Sequence, residues 1–166
     1  MSHLTFAVPK VLSVKKPPKQ LKRTAFKSKP TKLKKRRTKA DWTNEDWRHE
    51  AVEWAKKIAK HLAGYVCCKC GNSAEMEKQQ HGSHILPEGK FHRMSVIVEN
   101  IMDQCARCHF DWHENPLAQK KWFEEKFPGK YEQLKAMDAE FKKDHIKPNY
   151  KQIHDDLKAE YDSLIN

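Results

Sequence analysis

The chain has 166 residues, of which 38% are hydrophobic, enough to fill one modest core but not two. It carries 33 Lys and Arg against 22 Asp and Glu, and residues 1–40 hold 14 of the bases and no acid. The net charge of +11 therefore lies in the N-terminal segment, and no apolar run approaches the roughly 20 residues that span a bilayer.

The N-terminal segment, residues 1–40, mixes Lys and Arg with Pro, Ser and Thr and has no periodic apolar positions. This composition predicts a disordered basic tail. A run of like charge matches a polyanion, because each base that neutralises a phosphate releases condensed counterions. We therefore expect the tail to bind nucleic acid, with its densest charge at Lys34, Lys35, Arg36 and Arg37. The alternative is a solubilising or targeting extension, and we expect no membrane partner because no amphipathic or lipidated segment accompanies the charge.

The first helix is predicted over residues 43–63. Thr43 followed three positions later by Asp46 is a variant capping box, and apolar residues then recur at helical spacing. Trp47 and Trp54 lie on the apolar stripe, which favours a role in the core over base stacking.

The last third of the chain is predicted to be helical. Beyond residues 115–116 the helical period returns in three segments, which break near residues 127–129 and 147–149, where prolines stand. Between the first helix and this region, residues 65–108 lose the helical period, and their short segments separated by glycines predict short strands.

Two Cys-x2-Cys pairs stand 35 positions apart, and their four thiolates suit a closed tetrahedral Zn²⁺ site with sulfur at about 2.3 Å. A chain without a secretory signal is expected in the reducing cytoplasm, where metal explains cysteines better than disulfides do. The spacing predicts a structural zinc held by Cys67, Cys70, Cys105 and Cys108, with Cys68 as a bystander.

Four histidines lie between and beside these cysteines: His81 and His84 in HGSH, and His109 and His113 in HFDWH. His109 and His113 are four positions apart on a predicted helix, so both imidazoles lie on one face and could bind one divalent ion. Each histidine alone would be an ordinary surface residue. Their grouping around a zinc knuckle favours a second metal site.

These motifs together resemble the HNH (ββα-metal) endonucleases, and within them the NinG/Rap recombination nucleases of lambdoid phages. The resemblance covers residues 65–115 well and extends loosely into the C-terminal helices. It rests on the Cys67/Cys70-Gly71 knuckle, Gly-Ser-His84, Asn100-Ile, and Gln104-Cys105-x2-Cys108 followed by His109.

The resemblance implies roles for individual residues. His84 would be the general base that takes a proton from the attacking water, Asn100 would orient the catalytic loop, and His109 would be a ligand of the catalytic ion. Ser83 stands where many of these enzymes have Asp.

His81 lies where the phage relatives tend to have an acid, and could join His109 and His113 as a ligand. The resemblance implies Mg²⁺ or Mn²⁺, whereas an all-imidazole site would prefer Mn²⁺, Ni²⁺, Co²⁺ or Zn²⁺ over Mg²⁺.

We therefore expect an α+β fold in which a small zinc-stabilised ββα-metal core is flanked by helices. The expected parts are a basic tail (1–40), an N-terminal helix (41–64), an HNH core (65–115) and a C-terminal helical region (116–166). The expected function is metal-dependent DNA endonuclease activity, and the resemblance implies branched or recombination-intermediate DNA as substrate. Further backbone contacts are expected from Lys90, Arg93 and Arg107.

Two other functions stay open at this point. One is a non-catalytic zinc-knuckle protein that binds nucleic acid, and the other is a phage packaging or scaffold accessory that acts only within a complex. The resemblance also implies phage recombination or packaging proteins as partners and the host cytoplasm as location. A homodimer through the helical C-terminus remains an open alternative.

Overall fold

A computed structural model of the protein describes residues 38–73 and 80–166. Residues 1–37, and with them Lys34, Lys35, Arg36 and Arg37 of the predicted basic tail, lie outside the described residues. The described part is α+β. Its elements are α1 (Asn44–Leu62), β1 (Gln80–His84), β2 (Ile101–Cys105), α2 (Ala106–Glu114), α3 (Pro116–Lys126), α4 (Lys130–Lys143) and α5 (Tyr150–Ile165).

Helix α1 begins where the sequence predicts. The Thr43 side chain accepts a hydrogen bond from the Asp46 backbone N–H at 3.3 Å, and the Asp46 carboxylate accepts one from the Thr43 N–H at 2.7 Å. This reciprocal capping box satisfies two backbone donors that the first turn leaves without helical partners. Trp47 and Trp54 are partly buried and pack against the core, so their predicted role is confirmed.

Strands β1 and β2 form an antiparallel pair in which Gln80 lies opposite Cys105 and His84 opposite Ile101. At Gly82 the pair approaches α1 so closely that an added Cβ would lie 2.7 Å from Cγ of Lys56. Strand β2 runs directly into α2, so the chain order here is strand, strand, helix. The short strands that the sequence predicts are therefore present.

The hydrophobic core has two parts. The first joins α1 to α5, with Ala51, Ala55 and Ile58 fully buried on the α1 side. The second lies under α3 and α4 around Phe123 and Leu134, each 1% exposed. Truncating such a buried aromatic to Ala typically costs about 3–5 kcal/mol. Strand β2 contributes Ile101 to the first cluster and Met102 to the second. The β-pair is therefore held between the helical layers.

The three C-terminal helices break near the predicted positions. Gly129 takes φ 73 between α3 and α4, a left-handed conformation that glycine adopts without steric cost. None of the helices in the described ranges is long and apolar enough to cross a membrane.

Candidate functional site

The four predicted cysteines converge. The sulfur atoms of Cys67, Cys70, Cys105 and Cys108 all lie within 4.8 Å of one another, and Sγ of Cys70 is 3.7 Å from Sγ of Cys105. Two sulfurs bound about 2.3 Å from one tetrahedral ion lie roughly 3.8 Å apart, so the separation fits zinc. These four cysteines could hold a structural metal such as zinc. Cys68 stays outside the cluster and packs against the second core.

The backbone of the first knuckle prepares the site for thiolates. Gly71 takes φ 74 and donates its N–H to the carbonyl of Cys67 at 2.9 Å, which closes the turn. Burial raises the pKa of Cys67, but backbone N–H groups, first that of Cys70, outweigh this and lower it to about 7. A thiolate is the form that binds metal, so the backbone favours the ligand state at Cys67. At Cys70 the backbone N–H of Asn72 lowers the pKa, but burial and the sulfurs of Cys67 and Cys105 outweigh it and raise the pKa.

Three histidines meet on the exposed side of α2. Nε2 of His113 lies 3.0 Å from Nε2 of His109, and Nδ1 of His81 lies 3.2 Å from Nδ1 of His109. Two nitrogens bound about 2.1 Å from one ion at angles of roughly 90–110° lie about 3.0–3.4 Å apart. His109 and His113 therefore fit one ion, whereas His81 contacts the opposite nitrogen of the His109 ring.

The four cysteines and the three histidines differ in how closely their ligand atoms group together. Within residues 38–73 and 80–166, only the four cysteines form a set of three or more such side chains with all ligand atoms within 4.8 Å. The histidines form a chain through both nitrogens of His109. Burial first, and then the charges of His113 and His81, lower the pKa of His109 to about 4. A neutral imidazole is the form that binds metal.

His84 ends β1, half-buried, with its ring held in one orientation. Its Nε2 lies 2.9 Å from the backbone carbonyl of Ser95. A carbonyl only accepts, so Nε2 carries the proton and Nδ1 keeps its lone pair. Burial lowers the pKa of His84, and the bond to Ser95 partly offsets this. His84 is thus a neutral base with one available nitrogen.

One cleft of about 620 Å³ is lined both by His84 and by the close pair of histidines on α2. His84 lies on it together with His109 and His113, although β1 and α2 supply them separately. Lys56 of α1 and Lys120 of α3 line the same cleft. The fold therefore brings a half-buried imidazole, a close pair of histidines and two cations to one concave surface.

Asn100 is fully buried and does not line the cleft. Its Oδ1 accepts from the N–H of Leu86 at 2.8 Å, while its Nδ2 donates to the carbonyls of Leu86 and Met94 at 3.2 and 2.9 Å. These bonds close the loop between the two strands. Because Ser95 lies on that loop, Asn100 positions the carbonyl that orients His84.

Sequence reasoning missed Arg48. Its side chain, on α1, is 3% exposed, and its guanidinium donates to Glu88 at 2.8 Å and to Oγ of Ser95 at 3.1 Å. Glu88 lines the cleft. Arg48 therefore fixes the same Ser95 from the other side. The sequence gives little sign of this role, because an arginine on an amphipathic helix is normally exposed.

The predicted DNA-contacting bases differ in availability. Lys90 and Arg107 are exposed. The guanidinium of Arg93 instead donates to the carbonyls of Phe141 and Ile146, where it holds the connection between α4 and α5. For Arg93 to contact a DNA phosphate, those hydrogen bonds would have to break.

Asp111, which lies between His109 and His113 in the chain, is engaged within the fold. Its carboxylate accepts from Lys69 and from Gln119, each at 2.6 Å, and from Asn115 at 2.7 Å. The Lys69 ammonium holds the pKa of Asp111 below its usual range. Lys69 belongs to the first knuckle, so this contact links the cysteine site to α2.

Two buried polar side chains lie beside the site, and only one of them, Ser83, was considered in the sequence analysis. Both carboxylate oxygens of Asp103 and the hydroxyl of Ser83 have no hydrogen-bond partner in the described part of the chain. Burial raises the pKa of Asp103 to about 6. Ser83 is fully buried, so it does not present a ligand to the cleft in place of the Asp of many HNH enzymes.

No protein-family model, curated protein or solved structure matches the chain. The functional argument therefore rests on the site itself.

Proposed function

We propose that the protein is a metal-dependent DNA endonuclease that hydrolyses phosphodiester bonds, built on an HNH-type strand–strand–helix core. The observation that carries the proposal is the shared cleft, in which His84, whose Nε2 is bonded to the Ser95 carbonyl, and the His109–His113 pair line one concave surface. The motif resemblance and the basic N-terminal segment support the same function. Branched or recombination-intermediate DNA is the proposed substrate, by resemblance alone.

In this mechanism His84 accepts a proton at Nδ1 from the water that attacks phosphorus. The bond from the water oxygen to phosphorus forms as the bond from phosphorus to the 3′ oxygen breaks, and the leaving oxygen takes a proton from solvent. The Ser95 carbonyl keeps Nε2 protonated, and the imidazolium that forms retains this hydrogen bond. The site works as a base only while His84 is neutral.

His109 and His113 would hold the catalytic ion through their Nε2 atoms, and His81 would orient the His109 ring through Nδ1. A divalent ion there would stabilise the negative charge on the phosphate and the leaving oxygen. Imidazole ligands favour Mn²⁺, Co²⁺, Ni²⁺ or Zn²⁺ over Mg²⁺, which prefers oxygen ligands. Cys67, Cys70, Cys105 and Cys108 would hold a separate structural zinc.

The test is cleavage of supercoiled plasmid and of four-way or D-loop DNA, with Mg²⁺, with Mn²⁺ and without added divalent ion. We expect His84→Ala to cut roughly 10²–10⁴-fold more slowly at equal zinc content, because it removes the base. His92→Ala is the matched control, because His92 is exposed on the loop that carries Ser95 and does not line the cleft.

Equal cutting by wild type and His84→Ala would reject the assigned base. No cutting by the wild type on any substrate, with DNA binding intact, would favour the non-catalytic zinc-knuckle protein. Cutting that appears only with added phage recombination proteins would favour the accessory role.

A further inference from the structure

The candidate cleft contains two cations that the nuclease mechanism above does not use. Lys56 reaches it from α1 and Lys120 from α3. The ammonium of Lys120 stands 4.6 Å from the centre of the Tyr131 ring, and Tyr131 also lines the cleft. A cation held against an aromatic face keeps its charge at a defined place.

Lys56 is positioned by the β-pair. Its Cβ and Cγ lie against Gly82, so close that a side chain at that position would clash with them. The aliphatic part of the Lys56 side chain is therefore packed, and the ammonium group at its end is the part that can exchange one anionic partner for another. The charge of Lys56 also contributes, after burial, to the lowered pKa values of both His84 and His109, which agrees with an ammonium near both rings.

The present partner of Lys56 is weakly bound. Its Nζ lies 2.8 Å from Oε1 of Glu53, whose side chain is 63% exposed. An exposed pair of this kind is typically worth about 0–1 kcal/mol, so a phosphate could replace the carboxylate. Glu88, on the cleft wall, pairs with the buried Arg48 at 2.8 Å, and Arg48 also pairs with Glu45, so the charge of Glu88 is offset in part. The two lysines therefore outnumber the single carboxylate among the lining residues.

We propose that Lys56 and Lys120 form a phosphate-binding pair that holds backbone phosphates next to the scissile one. The inference rests on the proposed nuclease function and deepens it by assigning the contacts that seat DNA in the cleft. Lysine acts here as a point charge, so the pair recognises a phosphodiester backbone without reading bases. Lys56 exchanges Glu53 for phosphate when DNA enters.

The experiment measures binding of a fluorescent 30-base-pair duplex to the full zinc-loaded chain carrying His84→Ala, over a range of salt concentrations without added divalent ion. We expect Lys56→Gln and Lys120→Gln each to reduce the slope of log affinity against log salt by about 0.9, the value for one lost phosphate contact. Lys121→Gln is the matched control. Lys121 follows Lys120 on α3, its side chain is 82% exposed, and it does not line the cleft.

An unchanged slope in Lys56→Gln and Lys120→Gln, or an equal loss in Lys121→Gln, would overturn the pair. Glu53→Gln should tighten binding by freeing Lys56, and should not do so when Lys56→Gln is also present. Equal tightening in both backgrounds would overturn the partner exchange, since it would reflect general charge alone.

The two proposals fail in different ways. Reduced slopes in a protein that never cuts DNA would leave the phosphate pair standing and reject the nuclease. Cutting by the wild type with unchanged slopes in the lysine variants would leave the nuclease standing and reject the pair.

Discussion

Lys69, in the first cysteine knuckle, reaches Asp111 in α2 with its Nζ 2.6 Å from Oδ2. Asp111 lies between His109 and His113 in the chain, so the contact joins the cysteine site to the turn that carries both histidines. The same Nζ lies 2.8 Å from Oε1 of the buried Gln119 of α3. Cys105, at the N-terminus of α2, and Cys108 within it anchor the helix at its other end.

Lys69→Met is expected to weaken Mn²⁺ binding at the histidine pair by about two- to fivefold, the worth of a partly exposed ion pair. Zinc content should not change, because the Lys69 side chain is not a zinc ligand. Mn²⁺ titration followed by electron paramagnetic resonance measures the affinity. Lys142→Met is the control, since Lys142 forms a 2.6 Å pair with Asp138 on α4, apart from the cleft. Equal weakening by both variants would refute the coupling.

Removal of the structural metal should destabilise the fold. Cys70 is the ligand to change, because it is exposed and Cys70→Ser costs little packing of its own. We expect this variant to lose zinc and its melting temperature to fall by roughly 10 °C or more, because metal binding contributes directly to folding. Cys68→Ala should keep zinc and lose only about 1 kcal/mol. Mass spectrometry of the native protein measures the zinc content, and thermal unfolding measures the melting temperature. A zinc-free Cys70→Ser protein with an unchanged melting temperature would contradict the structural role of the metal.

The parts of the fold predicted correctly are those with local signals. A capping box over residues 43–46 starts α1, prolines and a glycine separate the C-terminal helices, and the two Cys-x2-Cys pairs predict their own convergence. The i,i+4 spacing of His109 and His113 likewise predicted that their rings would meet. Each of these signals depends on residues close together in sequence or on a ligand geometry that sequence spacing expresses.

The parts that were not predicted depend on distant partners. Arg48 meets Glu88 40 positions away and Ser95 47 positions away, and Arg93 meets Phe141 48 positions away. Nothing local distinguishes such arginines from exposed ones that could bind DNA. The contact of His81 with Nδ1 of His109 is similar, because it joins residues 28 positions apart and no local signal decides which nitrogen each ring presents.

Asn100 should support both stability and activity. Asn100→Ala leaves the Leu86 N–H and the carbonyls of Leu86 and Met94 without their partner, which should cost about 2–4 kcal/mol. We expect kcat for DNA cleavage to fall with KM unchanged, because the loop that holds Ser95 loosens while the DNA-contacting lysines stay. Asn149→Ala is the control. It removes the N-cap of α5 at about 1 kcal/mol and should leave kcat unchanged. Denaturant unfolding and steady-state cleavage separate the two effects, and an unaltered kcat in a destabilised Asn100→Ala would reject the positioning role.

The pH dependence of cleavage follows from the environment of His84. Burial is the largest cause of its pKa lying below the ordinary value of 6.5, and the nearby Lys56 also lowers it. A base whose folded pKa is depressed stays neutral as the pH falls through 6.5 and gains its proton only below that. The acid limb of kcat/KM, which reports the free enzyme, should therefore lie below pH 6.5.

Lys56→Gln removes a cation near His84 and should move this limb upward, toward the ordinary histidine value, whereas Lys121→Gln should leave it in place. Cleavage rates between pH 5 and 8 at fixed ionic strength measure the shift. An acid limb at or above 6.5 in the wild type would mean that the group titrating is not the buried His84.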